Sequence, residues 1–100
     1  MAATRISFHR LAAREYRSAR DWYSQRSVEV AERFRIAVDR AVQRIDAEAN
    51  ALPRLGSAYR FVRVGRYPYV LVFRHVHADE IIVVAVAHTS RRPGYWRRRK

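Results

Sequence analysis

The chain changes its hydrophobic period twice. Residues Thr4 to His9 alternate, with Ile6 and Phe8 on one face, and read as a short first strand. From Leu11 the apolar positions fall three and four apart at Ala12, Tyr16, Ala19, Trp22 and Tyr23, while Arg14, Arg17, Arg20 and Asp21 fall between them. That spacing predicts an amphipathic helix ending near Gln25. Ser27 then offers a side-chain oxygen as N-cap, Glu29 suits the positive end of a helix dipole, and Val30, Phe34, Val38, Ala41, Ile45 and Ala49 form one stripe to about Asn50. The connection between the two helices is short, so they form an antiparallel hairpin whose joint stripe needs a cover.

The cover is predicted from the second half. Leu52-Pro53 and Gly56-Ser57 break the helix, and three β-rich runs follow, Tyr59 to Val64, Tyr69 to Val76 and Ile81 to His88. Turns at Gly65 to Pro68 and His77 to Glu80 make these runs an antiparallel meander. The expected fold is α+β in the order β-α-α-β-β-β, with an antiparallel helical hairpin packed on one face of a small antiparallel-rich sheet. The apolar density of Ile81 to Ala87 marks a central strand buried on both faces. One domain of residues 1–90 is expected, followed by a basic, aromatic tail of residues 91–100 that carries six cations, no acid and the pair Tyr95-Trp96.

Composition narrows the chemistry. The chain of 100 residues has no cysteine, which excludes disulfides, a thiolate nucleophile and a Cys-based zinc site. Met1 to Ser7 carries Arg5 and no apolar run of signal-peptide length, and Ile81 to Ala87 is too short to span a bilayer, so a cytoplasmic location without a membrane partner is expected. The net charge is +12, divided as +3 over residues 1–50 and +9 over residues 51–100, where eleven cations face only Asp79 and Glu80. A field of that sign attracts nucleic acid or acidic protein surfaces. His75 and His77 sit two apart on one strand but find no third ligand at suitable spacing, so neither a metal site nor a cofactor is expected. Trp22 and Tyr23 are expected to pack in the core or at the hairpin edge.

In combination, several stretches resemble the ParE branch of the ParE/RelE toxin superfamily. They are the helix with Trp22-Tyr23, a second helix with Phe34, a strand with Arg60, the run Arg66-Tyr67-Pro68-Tyr69-Val70-Leu71-Val72-Phe73, and Val84-Ala85-Val86-Ala87-His88 followed by Arg91-Arg92-Pro93-Gly94-Tyr95-Trp96. The resemblance covers nearly the whole chain. It implies the toxin of a type II toxin–antitoxin pair, held neutral in a hetero-oligomer by a cognate antitoxin whose extended or helical C-terminal segment carries acidic residues. The superfamily offers two activities. RelE-type members cleave mRNA on the ribosome, and ParE-type members bind and inhibit DNA gyrase without breaking bonds themselves.

Two positions bear on the choice. RelE-like nucleases commonly carry an Arg after the Tyr that opens the third strand, and a basic residue just past the last strand; here those positions hold Val70 and Thr89. The missing strand cation, aimed at a phosphorane-like transition state, is worth about 3 kcal/mol or roughly a hundredfold in rate. Gyrase inhibition is therefore the favoured expectation, with ribosome-dependent mRNA cleavage through His88, Arg91 and Tyr95 as the alternative. A member with another target, and a freestanding nucleic-acid-binding module, are further readings. Residues expected to meet the target or the antitoxin are Arg60, Arg74, Arg91, Arg92, Tyr95, Trp96, Arg97 and Arg98.

Overall fold

The computed structural model describes residues 4–100. Strand β1 (Arg5–Phe8) leads into helix α1 (Arg10–Ser24) and helix α2 (Val28–Glu48), followed by a 3-10 turn at Ala49–Ala51. Strands β2 (Arg54–Leu55), β3 (Tyr59–Arg63), β4 (Tyr69–His77) and β5 (Glu80–His88) complete the chain's regular structure. The fold is α+β with both helices packed on a five-stranded sheet, as the hydrophobic pattern predicts.

Local chemistry explains the boundaries. His9 caps α1, its imidazole Nδ1 accepting from the Leu11 N–H at 3.0 Å. Ser27, with extended backbone, caps α2 by accepting from the Val30 N–H at 3.2 Å. On the solvent side of α2, Arg35 pairs with Glu32 and Asp39, and Arg44 with Glu48, at three- and four-residue spacing. The helical run ends where Leu52, which precedes a proline, turns extended (φ −77°, ψ 152°). Gly56, at φ +71°, then lets β2 reverse into β3.

The sheet order is β1-β5-β4-β3-β2. The β2 to β5 ladders are antiparallel, whereas β1 pairs in parallel with β5, Arg5 opposite Glu80 through Phe8 opposite Val83. Strand β5 is therefore central and buried on both faces, as its sequence implies. β2 was absent from the sequence reading because two residues carry no periodic signal; it exists through pairing of Arg54 with Arg60 and Leu55 with Tyr59.

One sheet face lies under the helices, where Phe34 meets the rings of Tyr16, Tyr23, Tyr67 and Tyr69 above Leu71, Phe73, Val83 and Val86. The other carries a smaller cluster of Val72, Val84, Ala85 and Ala87 beneath Trp96. Residues 91–100, read from sequence as a tail, return along this second face in consecutive turns. Their last residue reaches α1, where His9 Nε2 donates to the Lys100 carbonyl at 3.0 Å. Because Nδ1 accepts the capping N–H, the His9 proton sits on Nε2.

Candidate functional site

The site originates in a mismatch of strand lengths. β1 pairs only with Glu80 to Val83, its last ladder contact being the His9 N–H donated to the Val83 carbonyl at 2.9 Å. Beyond that point β5 continues to His88 with no strand on its outer side. A bulge accompanies the change: Val72 pairs with Ala85 and Phe73 with Val83, leaving Val84 as the additional residue. The exposed strand edge would carry unsatisfied main-chain groups if nothing replaced β1.

An ion pair replaces it. Glu15 of α1 accepts the Val86 N–H at 3.0 Å, and Arg99 donates to the Val84 carbonyl at 2.9 Å. Arg99 grips the same carboxylate with both terminal nitrogens, at 2.8 and 3.0 Å, and the Tyr95 hydroxyl donates to it at 2.6 Å. The Arg91 guanidinium lies 3.5 Å from the carboxylate and 3.9 Å from the centre of the Tyr95 ring. One acid on α1 thus joins the helical layer, the central strand and the C-terminal segment.

The charges behave accordingly. Burial works to raise the Glu15 pKa, but hydrogen bonds from Arg99, Tyr95 and Val86, with the Arg99 charge, outweigh it and hold the carboxyl below its ordinary value. Burial first, and then donation to Glu15, push the Tyr95 phenol well above its ordinary range. Tyr95 is therefore a neutral donor with its proton committed to Glu15. His88, at the end of β5, accepts at Nδ1 from the Ser90 N–H (3.0 Å) and lies 2.7 Å from the Ser90 hydroxyl, while Tyr69 meets its ring edge-on.

Between α1 and this open edge runs a groove of about 570 Å³, lined by Arg14, Ser18, Trp22, Tyr23, Pro68, Tyr69, Val86, His88 and Arg91, with Glu15 at its floor. Its apolar walls and basic rim suit an elongated partner that offers both apolar and acidic groups. Two residues expected from sequence, His88 and Arg91, meet here. Tyr95 lies behind them, reaching the groove only through Glu15. Trp22 is no core residue: near the end of α1 it packs edge-on against Tyr23, 50% exposed on the groove wall, with the Arg26 guanidinium 3.5 Å above its ring. Tyr23, its neighbour, takes the inward position.

Arg92, Arg97 and Arg98 are exposed on the C-terminal segment, and Arg60 and Arg74 lie at the opposite edge of the sheet. Trp96, expected on the contact surface, is instead only 5% exposed, because the second sheet face offers an apolar bed for its ring. Val70 and Thr89 differ in environment: Val70 packs under the tail and Thr89 is exposed, its N–H donated to the Pro68 carbonyl at 2.9 Å. Among the described residues no three His, Cys, Asp or Glu side chains gather where a metal could sit.

The residue that the sequence reading missed is Glu15. A signal was present, since Glu15 lies three residues after Ala12 and four before Ala19, on the buried stripe of α1. A lone acid on an apolar stripe requires a cationic partner.

Comparison with known proteins gives the site its context. The sequence profile of the ParE toxin of the type II toxin-antitoxin system parDE matches residues 6–93. No curated protein sequence matches the chain. A solved structure described as the chromosomal ParDE TA system from P. aeruginosa is similar in fold, with a TM-score of 0.70 at 21% identity, covering 86% of this chain and 96% of the other. With the profile spanning the helical hairpin, the sheet and the start of the C-terminal segment, the chain belongs to the ParE toxin family of type II toxin–antitoxin systems.

Proposed function

We propose that this ParE-family toxin inhibits DNA gyrase by binding, and that a cognate antitoxin neutralises it by occupying the groove between α1 and the open edge of β5. Both partners place the protein in the cytoplasm. The observation that carries the reading is the commitment of Tyr95. A nuclease of the RelE type needs its tyrosine and cations turned toward a phosphodiester, whereas here the phenol donates to Glu15 at 2.6 Å and Arg99 spans Glu15 and the Val84 carbonyl. Tyr95 and Arg99 are thus engaged in holding the C-terminal segment. What remains outward is a recognition surface: Trp22, Arg14, His88 and Arg91 around an apolar trough, with Arg92, Arg97 and Arg98 on the adjoining segment. Aromatic and arginine side chains are those that most often dominate protein interfaces.

The antitoxin part of the proposal follows from the same surface. A segment with alternating apolar and acidic residues would satisfy the trough and the rim together. The test is plasmid supercoiling by gyrase with purified toxin, beside a translation reaction in which mRNA cuts are mapped. Lost supercoiling or accumulated cleaved plasmid with intact mRNA is the expected result, reversed by equimolar antitoxin. Ribosome-dependent mRNA cuts with gyrase unaffected would overturn the proposal and return attention to His88 and Arg91.

A further inference from the structure

At the edge of the sheet opposite the groove, the turn from β2 to β3 and the far half of β4 enclose a hollow of about 270 Å³. Its walls include Asn50, Arg54, Ser57, Tyr59, Arg60 and Arg74, with His75 at the rim, and no carboxylate contributes to them. The β2–β3 register sets Arg54 directly opposite Arg60, an arrangement of like charges that weakens a sheet when nothing neutralises it. Arg60 is held in place by donating to the Leu52 carbonyl at 2.7 Å. Where acids are within reach some arginines pair, Arg35 with Glu32 and Asp39, Arg44 with Glu48, and Arg99 with Glu15. Among the described residues no ion pair includes Arg54, Arg60 or Arg74.

Arginines around one hollow, with a hydroxyl and an amide beside them, can meet the oxygens of a phosphate, to which arginine donates two parallel hydrogen bonds. The surroundings favour a polymer over a single anion. Tyr59 belongs to the wall of the hollow and also carries the Arg97 guanidinium 5.8 Å from its ring centre, so a further cation stands next along the surface. Arg97 reaches back over the same turn, its guanidinium 3.7 Å from where a Cβ on Gly56 would lie. Spaced cations flanking an aromatic ring suit successive phosphates of a chain.

We propose that this hollow is a phosphodiester-binding subsite through which the protein holds a nucleic-acid backbone, continued by Arg97. The inference is independent of gyrase inhibition, since backbone binding is read without gyrase and either result can stand alone. The test is fluorescence anisotropy of a short labelled duplex DNA titrated with the full chain over a range of salt. Arg54→Gln with Arg74→Gln is compared with Arg33→Gln and Arg40→Gln, which remove the same charge from the exposed side of α2. The first pair is expected to weaken binding about tenfold at low salt and to flatten the logarithmic salt slope by about 2, and the second to do a small part of either.

Equal losses from both pairs would assign the binding to diffuse charge and overturn the proposal, as would no loss from the first pair. Competition by polyglutamate as effective as that by DNA would likewise overturn it, in favour of an acidic protein partner. If Arg54→Gln with Arg74→Gln fails to fold, the wild-type arginine Nε–H resonances decide. Shifts on adding the duplex concentrated at Arg54, Arg60 and Arg97 support the subsite, and shifts spread evenly over all arginines reject it.

Discussion

The two faces of the sheet are held by different physics. Under the helices the contacts are apolar and redundant, with Phe34 fully buried among four tyrosine rings and valine and leucine side chains below them. On the other face Trp96 lies buried over four small residues, with Tyr59, Phe61 and Tyr95 only partly buried beside it, and the segment that carries it is fastened at its end by Glu15 and His9. The first arrangement loses one contact and keeps the rest. The second concentrates its attachment in a few groups, so the C-terminal segment is the part of the molecule most open to displacement by a partner or by pH.

The largest expected effect tests the redundancy of the helical face. Phe34→Ala removes a ring at the centre of that face and should lower stability by about 3 to 5 kcal/mol, a large share of what a domain this size has. Urea unfolding followed by far-UV circular dichroism would show it as one transition at a lower midpoint. Trp96→Ala, on the other face, is expected to cost about 2 to 3 kcal/mol, because a site near the surface collapses more readily than an interior one. Its distinguishing result is selective: amide exchange should accelerate across residues 91–100 while the α1–α2 core stays protected. Uniform loss of protection would mean that the two faces fold as one unit and that the contrast drawn between them is wrong.

Glu15 ties the attachment of the C-terminal segment to the charge of a carboxylate. Its folded pKa lies below the ordinary glutamate value of 4.5. The unfolded chain therefore binds the proton more readily, and the stabilisation is complete above about pH 4.5 and is lost as pH falls through the folded pKa. Glu15→Gln keeps the shape but loses the charge, leaving Arg99 without its counterion. It should cost about 2 kcal/mol at neutral pH. Thermal melts from pH 7 down to pH 3 should show the gap between wild type and variant narrowing below about pH 4.5, and a constant gap would mean that the carboxylate's charge does not hold the segment.

The same contrast explains what could be read from the sequence. The helical face announces itself through repetition: Val30, Phe34, Val38, Ala41 and Ile45 recur on one stripe, and β5 reads as buried on both sides because nearly every residue in it is apolar. Single contacts carry no such repetition. The two residues of β2 are too few to show a period, and retaining the C-terminal segment with Trp96 and closing the open edge of β5 by Glu15 and Arg99 depend on groups distant in sequence. Glu15 and Arg99 are 84 residues apart. Arg91, expected at a contact surface, and His88, a candidate only for the nuclease alternative, both reach the groove, at the end of β5 and just beyond it. Trp96 turned inward onto the apolar second sheet face, which its sequence neighbours do not reveal, because an aromatic beside arginines has the same composition in an interface as in a core. The hydrophobic pattern carried the fold and the resemblance carried the family, while the placement of individual side chains needed coordinates.

The smallest expected effect decides how that second face is held. The Trp96 indole N–H is buried and has no acceptor among the described residues, and its ring meets Tyr95 and Tyr59 edge-on with centroids 5.4 and 6.4 Å away. A buried donor without a partner costs about 1 to 3 kcal/mol in lost hydration. Trp96→Phe removes that donor together with part of the apolar area, so the two changes oppose each other. If bulk burial is what holds the segment, the net change should fall within about 1 kcal/mol in either direction, and exchange protection of residues 91–100 should persist. A loss as large as that of Trp96→Ala would instead mean that the shape of the indole sets the Tyr59–Trp96–Tyr95 arrangement. In that case Tyr95 reaches Glu15 only because Trp96 positions it, and the ion pair at the edge of β5 depends on packing on the opposite face.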